Sequence, residues 1–298
     1  MEDIKPEDFF GKDDLTQKVD TEVKKVADAF MFALKYKEQF QASGIEFSDL
    51  RQYQTSDDAS RIDWKNSATG DDLYVKEYEE EKDMDIFIVL DASESMMFGT
   101  ADKLKSEYAA IICAALAYAS IDMGSNVGFG IYGEDELVML PSGGQVQYQK
   151  ILTEVTRFDN YGGQFDMEDA LDSVVGQIKE NTSLFIVSDF INLQGDWKSK
   201  MLVASKKFRH VLNIMTKDLR DYKLPENGNM RFKKPAGNEQ VVVNTSKVKE
   251  EYEDEAQKEE ERVINKVEAT GASLIKVDTR ENFSAKFAKY LDEEGGDW

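Results

Sequence analysis

From Asp85 onward, short apolar runs of β-forming residues alternate with longer stretches of helical period, and few architectures accept that alternation. The runs DIFIVLD, NVGFGIYG, ELVMLP, SLFIVSDF, HVLNIMT and SLIKVD read as strands, whereas residues 102–120, 146–158, 167–180, 198–208, 246–269 and 283–292 read as helices. Strands that are apolar almost throughout must be buried on both sides, which predicts a three-layer α/β fold around a mostly parallel sheet. Glu134 and Asp135 lie in a turn too short for a crossover between NVGFGIYG and ELVMLP, so that pair predicts one antiparallel edge strand.

Ahead of Asp85 the texture changes. Residues 16–40 have the period of an amphipathic helix, with Val19, Val23, Val26, Phe30, Ala33 and Leu34 on its apolar side. The irregular GIEFSDLRQYQTSDDASRIDWKNSATG follows, and then DLYVKEY, whose alternating apolar residues predict a strand paired with the sheet. No Gly, Ser or Pro linker separates this front part, so residues 1–80 are expected to pack on the core as an extension, with 81–298 forming the α/β domain. Two β-runs around a turn at Pro235, Ala236 and Gly237 predict a surface hairpin within 222–245. The helix after it sets Val248, Tyr252, Ala256, Val263 and Val267 as a stripe amid EEYEDEAQKEEER, which predicts a solvated acidic face.

Charge and motif content exclude several functions. A net charge of −22 repels phosphate backbones and anionic membranes, so no nucleic acid is expected as ligand. The most apolar stretch, Tyr108–Ala119, falls short of the roughly 20 residues of a bilayer span, and the acidic MEDIKPEDFF does not read as a signal peptide. Cys113 is alone and can form no internal disulfide. These features lead us to expect a cytoplasmic chain without membrane insertion. GFGIYG satisfies GxGxxG but lies inside a strand rather than in the turn that opens a helix, and no GxxxxGK[ST] loop exists. His210, the one histidine, stands at a strand entry, and no serine has a GxSxG elbow.

What remains is IFIVLDASESM, residues 86–96. In an open α/β sheet, ligands collect outside the carboxyl ends of the strands, where connections diverge to opposite faces. Asp91 closes its strand, and Ser93 and Ser95 follow in the loop before the next helix. One carboxylate and two hydroxyls are hard oxygen ligands suited to Mg2+ or Mn2+. Few carboxylates leave such an ion electrophilic, so that it seeks another carboxylate from outside. SLFIVSDF delivers Asp189 to the same edge of the sheet.

IFIVLDASESM, YGGQFDMEDAL and LFIVSDF together resemble the three loops of a von Willebrand factor type A domain with its metal-ion-dependent adhesion site. GIEFSDLRQYQTSDDASRIDWKNSA with LYVKEYEEEKD, and farther on MTKDLRDYKLPENGNMRF with VVVNT, are similar to the "domain of unknown function 58" family, whose signature here falls within 44–80. The resemblance implies a Rossmann-like von Willebrand factor A fold with a metal site at the carboxyl edge. It implies a protein-interaction role beside a MoxR-type AAA+ ATPase and a client offering a carboxylate, in complex assembly or maturation, and not catalysis. Asp91, Ser93 and Ser95 match the first loop and Asp189 the third. In the second loop Phe165 stands where a threonine is expected, so either water fills that place or Gln164 or Asp166 supplies the oxygen. Arg51, Tyr53, Asp58, Arg61, Asp63 and Trp64 remain of the upstream signature, and paired charges with a tryptophan suit the pinning of an irregular segment.

Two alternatives follow from the same residues. A strand-end aspartate beside a metal also opens aspartyl-phosphate chemistry, which would make the chain a magnesium-dependent phosphohydrolase with Asp91 as nucleophile. Ser93 then occupies the place of the required second acid, and no lysine is evidently set to neutralise phosphate. The other alternative is a metal-free scaffold that has lost its ion.

Overall fold

The structure is a computed structural model and describes residues 22–24, 26–27, 49–52, 74–77, 85–101, 103–226, 228–233 and 240–293. Strands β3 (Asp85–Asp91), β4 (Val127–Tyr132), β5 (Glu136–Ser142), β6 (Thr182–Ser188), β7 (His210–Lys217) and β10 (Ser273–Asp278) form one six-stranded sheet. Its order is β10-β7-β6-β3-β4-β5, parallel throughout except for the antiparallel pairing of β5 on β4. This is the expected mostly parallel sheet with an antiparallel edge strand, in the doubly wound order. After β3 the chain builds outward to β4 and β5, then returns to the other side of β3 for β6, β7 and β10. The switch point therefore lies between β3 and β6, where a crevice opens at the carboxyl ends.

Helices α1 (Lys105–Asp122), α2 (Gln145–Val155), α3 (Met167–Gln177), α4 (Trp197–Lys207), α5 (Thr245–Glu268) and α6 (Phe283–Glu293) cover both faces. Because side chains alternate along a strand, β3 sends Ile86, Ile88 and Leu90 into a core with α1, α2 and α6. Phe87 and Val89 enter the opposite core with α3, α4 and the last turns of α5. Helix α1 is buried from Lys105 to Ala117, which explains why its sequence is apolar on every side. Val23 and Ala27, in a helical stretch of the front part, join the first core. Cys113 is buried in α1, and burial pushes its thiol pKa well up.

DLYVKEY differs from expectation. β2 (Tyr74–Glu77) pairs antiparallel with β1 (Asp49–Gln52) in a separate two-stranded sheet, not with the main one. The physical reason lies in its alternation: strands of the main sheet are buried on both faces, whereas a strand with a polar residue at every second place suits a ribbon with one solvated side. Tyr53, Asp58, Arg61, Asp63 and Trp64 lie outside the described residues. The expected hairpin is β8 (Asn229–Lys233) on β9 (Gln240–Asn244), with Pro235, Ala236 and Gly237 outside the described residues. Along α5 the stripe is half-buried at Val248, Tyr252 and Ala256 and buried at Val263 and Val267, while Asp254, Glu255, Glu259 and Glu261 are exposed. The Tyr252 hydroxyl donates to the Arg220 carbonyl at 2.7 Å. Among the described residues no helix is long and apolar enough to cross a membrane.

The glycines of GFGIYG serve packing. A Cβ on Gly128 would stand 2.5 Å from the Phe87 ring and 2.9 Å from Pro141 Cδ, and one on Gly130 would stand 2.8 Å from the Tyr132 ring. Gly128→Ala is therefore expected to lower stability by about 1–3 kcal/mol through overpacking, read as a lower urea midpoint at unchanged slope.

Candidate metal centre

Asp91, Ser93 and Ser95 leave the end of β3 on a short loop that continues into a 3-10 turn, Glu94–Met97. Asp91 is 2% exposed. Its Oδ1 accepts the Ser93 N–H at 2.9 Å and its Oδ2 accepts the Ser188 hydroxyl at 2.6 Å, so the neighbouring strand β6 fixes its orientation. Ser93 Oγ and Ser95 Oγ lie 3.1 Å apart. The first loop thus gathers one carboxylate and two hydroxyls.

The second loop is stitched to the first. Gly162 N–H donates to the Ala92 carbonyl at 2.8 Å, and Glu94 N–H donates to the Gly163 carbonyl at 3.1 Å. Gly133 makes this approach possible, since a Cβ there would stand 2.8–3.0 Å from the carbonyl oxygens of Ala92, Asn160 and Gly162. Phe165 is half-buried with its ring edge-on to Tyr132, centroids 6.3 Å apart, and joins the core beside α3. Asp166 is the N-cap of α3, and its Oδ1 accepts Glu168 N–H at 2.9 Å and Asp169 N–H at 3.1 Å. Gln164 and Asp166 are both exposed.

The third loop follows β6. Asp189 is fully buried; its Oδ2 accepts Lys105 Nζ at 2.8 Å and its Oδ1 accepts Ile191 N–H at 2.9 Å. Lys105 Nζ also reaches Asp221 Oδ1 at 3.1 Å, and Lys217 Nζ donates to the Asp189 carbonyl at 2.8 Å. Burial works against the charge of Lys105, but Asp189 and Asp221 outweigh it and hold the ammonium pKa above the ordinary lysine value. Phe190 and Asn192 sit at φ 57° and 56°. A bulky residue at positive φ is strained; the Ser188 hydroxyl, accepting from Phe190 N–H at 3.0 Å, and burial of the ring hold it there.

Four parallel strands deliver an aspartate to this edge, in sheet order Asp278, Asp218, Asp189 and Asp91. Arg280 pairs with Asp278 at 2.7 Å, and Lys105 pairs with Asp189. Asp218 accepts Thr100 N–H and hydroxyl, Arg220 N–H and the Thr279 hydroxyl. Asp91 has neutral donors alone and fewer of them among the described residues. Burial, and next the negative charge of Asp189, push its pKa up to about 7 against the pull of Ser188 and Ser93. A buried carboxylate so poorly compensated fits a cation.

Residues 49–262 match the model of the family described as protein of unknown function DUF58. The chain belongs to that family. An uncharacterized protein of Mycobacterium tuberculosis is 27% identical to this DUF58 chain over 190 residues, covering 63% of the chain and 59% of the relative; the chain thus spans about three fifths of that relative's length. Among solved structures it is similar to the conserved hypothetical protein BatB from Bacteroides thetaiotaomicron, at 14% identity and a TM-score of 0.46, covering 70% of this chain and 98% of that one. It is also similar to the manganese-loaded TRAP protein of Plasmodium vivax, at 18% identity and a TM-score of 0.31, covering 44% of this chain and 56% of that one.

Of the expected ligands in this DUF58 chain, Asp91, Ser93 and Ser95 lie together in the first loop, Asp189 is held by Lys105 and Ile191, and Gln164 and Asp166 are exposed, with Asp166 capping α3. No group of three or more His, Cys, Asp or Glu side chains is disposed to hold a metal among the described residues. Sequence reasoning missed Lys105, Lys217, Asp218 and Asp221. Lys105 is a lysine at this edge that sequence did not place, paired with Asp189 and Asp221; at 1% exposure and bound to two carboxylates it does not face an incoming phosphate.

Proposed function

We propose that this DUF58 chain is a non-enzymatic, divalent-metal-dependent protein-interaction module. The observation that carries the reading is Asp91: a buried strand-end carboxylate at the switch point, without an ion-pair partner among the described residues and beside two hydroxyls 3.1 Å apart. Asp91, Ser93 and Ser95 hold Mg2+ or Mn2+, and water completes the shell where Phe165 replaces a ligating side chain. Gln164 and Asp166 stand on the rim, with Asp166 Oδ1 already engaged by the α3 cap. Bound with a single protein carboxylate, the ion supplies a Lewis-acidic position for a carboxylate on a client protein. Ser188 orients Asp91, Gly133 lets the two loops meet, and Lys105 holds Asp189 in place. The partner that the family resemblance implies is a MoxR-type AAA+ ATPase, with the chain as its adaptor or substrate-presenting subunit.

The test is retention of a MoxR-type AAA+ ATPase on immobilised chain in Mg2+, in EDTA, and with Asp91→Ala. Retention in Mg2+ that is lost in the other two conditions is expected. Equal retention in all three would sink the reading.

A further inference from the structure

We infer that Lys105 is a positioning residue that withholds Asp189 from the metal, so that the ion is left with Asp91 as its one strand-end carboxylate. The inference rests on the metal reading above and deepens it. Both oxygens of Asp189 already have fixed donors, Lys105 Nζ at 2.8 Å and Ile191 N–H at 2.9 Å. Neither partner of the ion pair is open to solvent, with side-chain exposures of 2% and 0%. Lys105 cannot swing away cheaply, because Asp221 holds the same ammonium at 3.1 Å and α1 carries its backbone. Lys217 occupies the Asp189 carbonyl from another side at 2.8 Å. An ion seeking Asp189 directly would have to share Oδ2 with the Lys105 ammonium or Oδ1 with the Ile191 N–H, or displace the ammonium within buried surroundings.

The consequence is chemical. Affinity of a hard divalent ion rises with the number of carboxylates around it, while its appetite for an outside carboxylate falls. Lys105 acts as a built-in monovalent cation that cancels one of two neighbouring charges, trading affinity for electrophilic character. Its distance from Asp189 in the chain, across the whole of β4, β5 and β6, makes the pairing a product of the doubly wound topology.

Calorimetric titration of the full chain with Mn2+ decides it. Lys105→Met is expected to tighten Mn2+ binding at least about tenfold, because two carboxylates then face the ion, and to enlarge the rise in melting temperature that Mn2+ produces. Affinity no tighter than that of the wild type overturns the inference. Lys105→Met leaves two carboxylates without their cation and can fail to fold, so the double variant Lys105→Met with Asp189→Asn supplies a second arm. It keeps the net charge of the wild-type pair, and Mn2+ affinity within about fivefold of wild type is expected. A greater loss means that Asp189 ligates the ion despite Lys105, and overturns the inference. If the wild type takes up no Mn2+, the metal reading fails and the inference falls with it, whereas Mn2+ uptake by the wild type with no tightening in Lys105→Met overturns the inference alone.

Discussion

Asp91→Asn is expected to abolish calorimetric uptake of Mg2+ and Mn2+, weakening it by more than about a hundredfold, and at the same time to make the metal-free protein more stable at pH 8. The first effect follows from charge: Asp91 is the one carboxylate among the three donors gathered by the first loop, and two hydroxyls alone hold a divalent ion poorly. The second follows from burial. The carboxyl pKa is raised to about 7 in the folded chain from 3.8, so the folded state holds its proton more tightly than the unfolded one. Stability from this group is complete below pH 3.8 and is lost as pH rises through about 7. The raised pKa corresponds to roughly 4 kcal/mol at pH 8. Asparagine can accept with one atom only, and must leave either Ser93 N–H or the Ser188 hydroxyl without its acceptor, so a net gain of about 2 kcal/mol is expected. Urea midpoints of both proteins in EDTA, at pH 5 and pH 8, check it: the gain should be present at pH 8 and shrink or reverse at pH 5. A variant that keeps metal uptake and loses stability would mean that Asp91 is an ordinary structural carboxylate.

The parts of this site that sequence makes legible are those set by local pattern. Apolar runs ending in VLD and VSD place Asp91 and Asp189 at strand ends, and a short turn marks β5 as antiparallel, because strand burial and turn length act over a few residues. The same rule also marks Asp218 after HVLNIMTK and Asp278 at the end of SLIKVD, and a row of four strand-end aspartates is itself a signal for charge compensation along one edge. Which cation answers which aspartate is not local. Lys105 meets Asp189 and Asp221 only because α1 starts at the same edge where β6 and β7 stop. One hint exists: a lysine in the first turn of a helix that is apolar on all sides must be buried, and a buried ammonium needs a partner. Asp166, read from the sequence only as a candidate metal ligand, carries a second pattern. It precedes MEDAL with acidic residues in the first turn, the pattern of an N-cap, and the structure shows it capping α3. Phe165 is excluded as a ligand by chemistry alone, but its seat against Tyr132 depends on the register of β4.

Asp218→Ala is expected to cost about 3 kcal/mol or more and to loosen three loops at once. The carboxylate accepts Thr100 N–H at 2.9 Å, Thr100 Oγ1 at 2.7 Å, Arg220 N–H at 3.0 Å and Thr279 Oγ1 at 3.2 Å, from three segments well separated in the chain. Hydrogen bonds to a charged acceptor contribute about 1.5–3 kcal/mol each, and removing the acceptor strands its donors; partial rehydration at this edge keeps the total well below the sum. Burial would raise the Asp218 pKa, but the donors from Arg220, Thr100 and Thr279 together outweigh it and hold the group below 3.8. Its contribution is therefore present above pH 3.8 and lost as pH falls through the lower folded value. Asp218→Asn keeps the shape and part of the acceptor capacity, and should cost less than alanine at pH 7. As pH falls through the lowered folded value the wild-type group loses its charge, and the gap between wild type and Asp218→Asn should narrow. The loops also connect to the candidate site, since Asp218 N–H donates to Asp221 Oδ2 at 2.8 Å and Asp221 holds Lys105. Asp218→Ala should accordingly speed amide exchange at Thr100 and Arg220 first, where the N–H groups lose their acceptor, while Ser93 N–H, bonded to Asp91, keeps its protection until the chain unfolds globally.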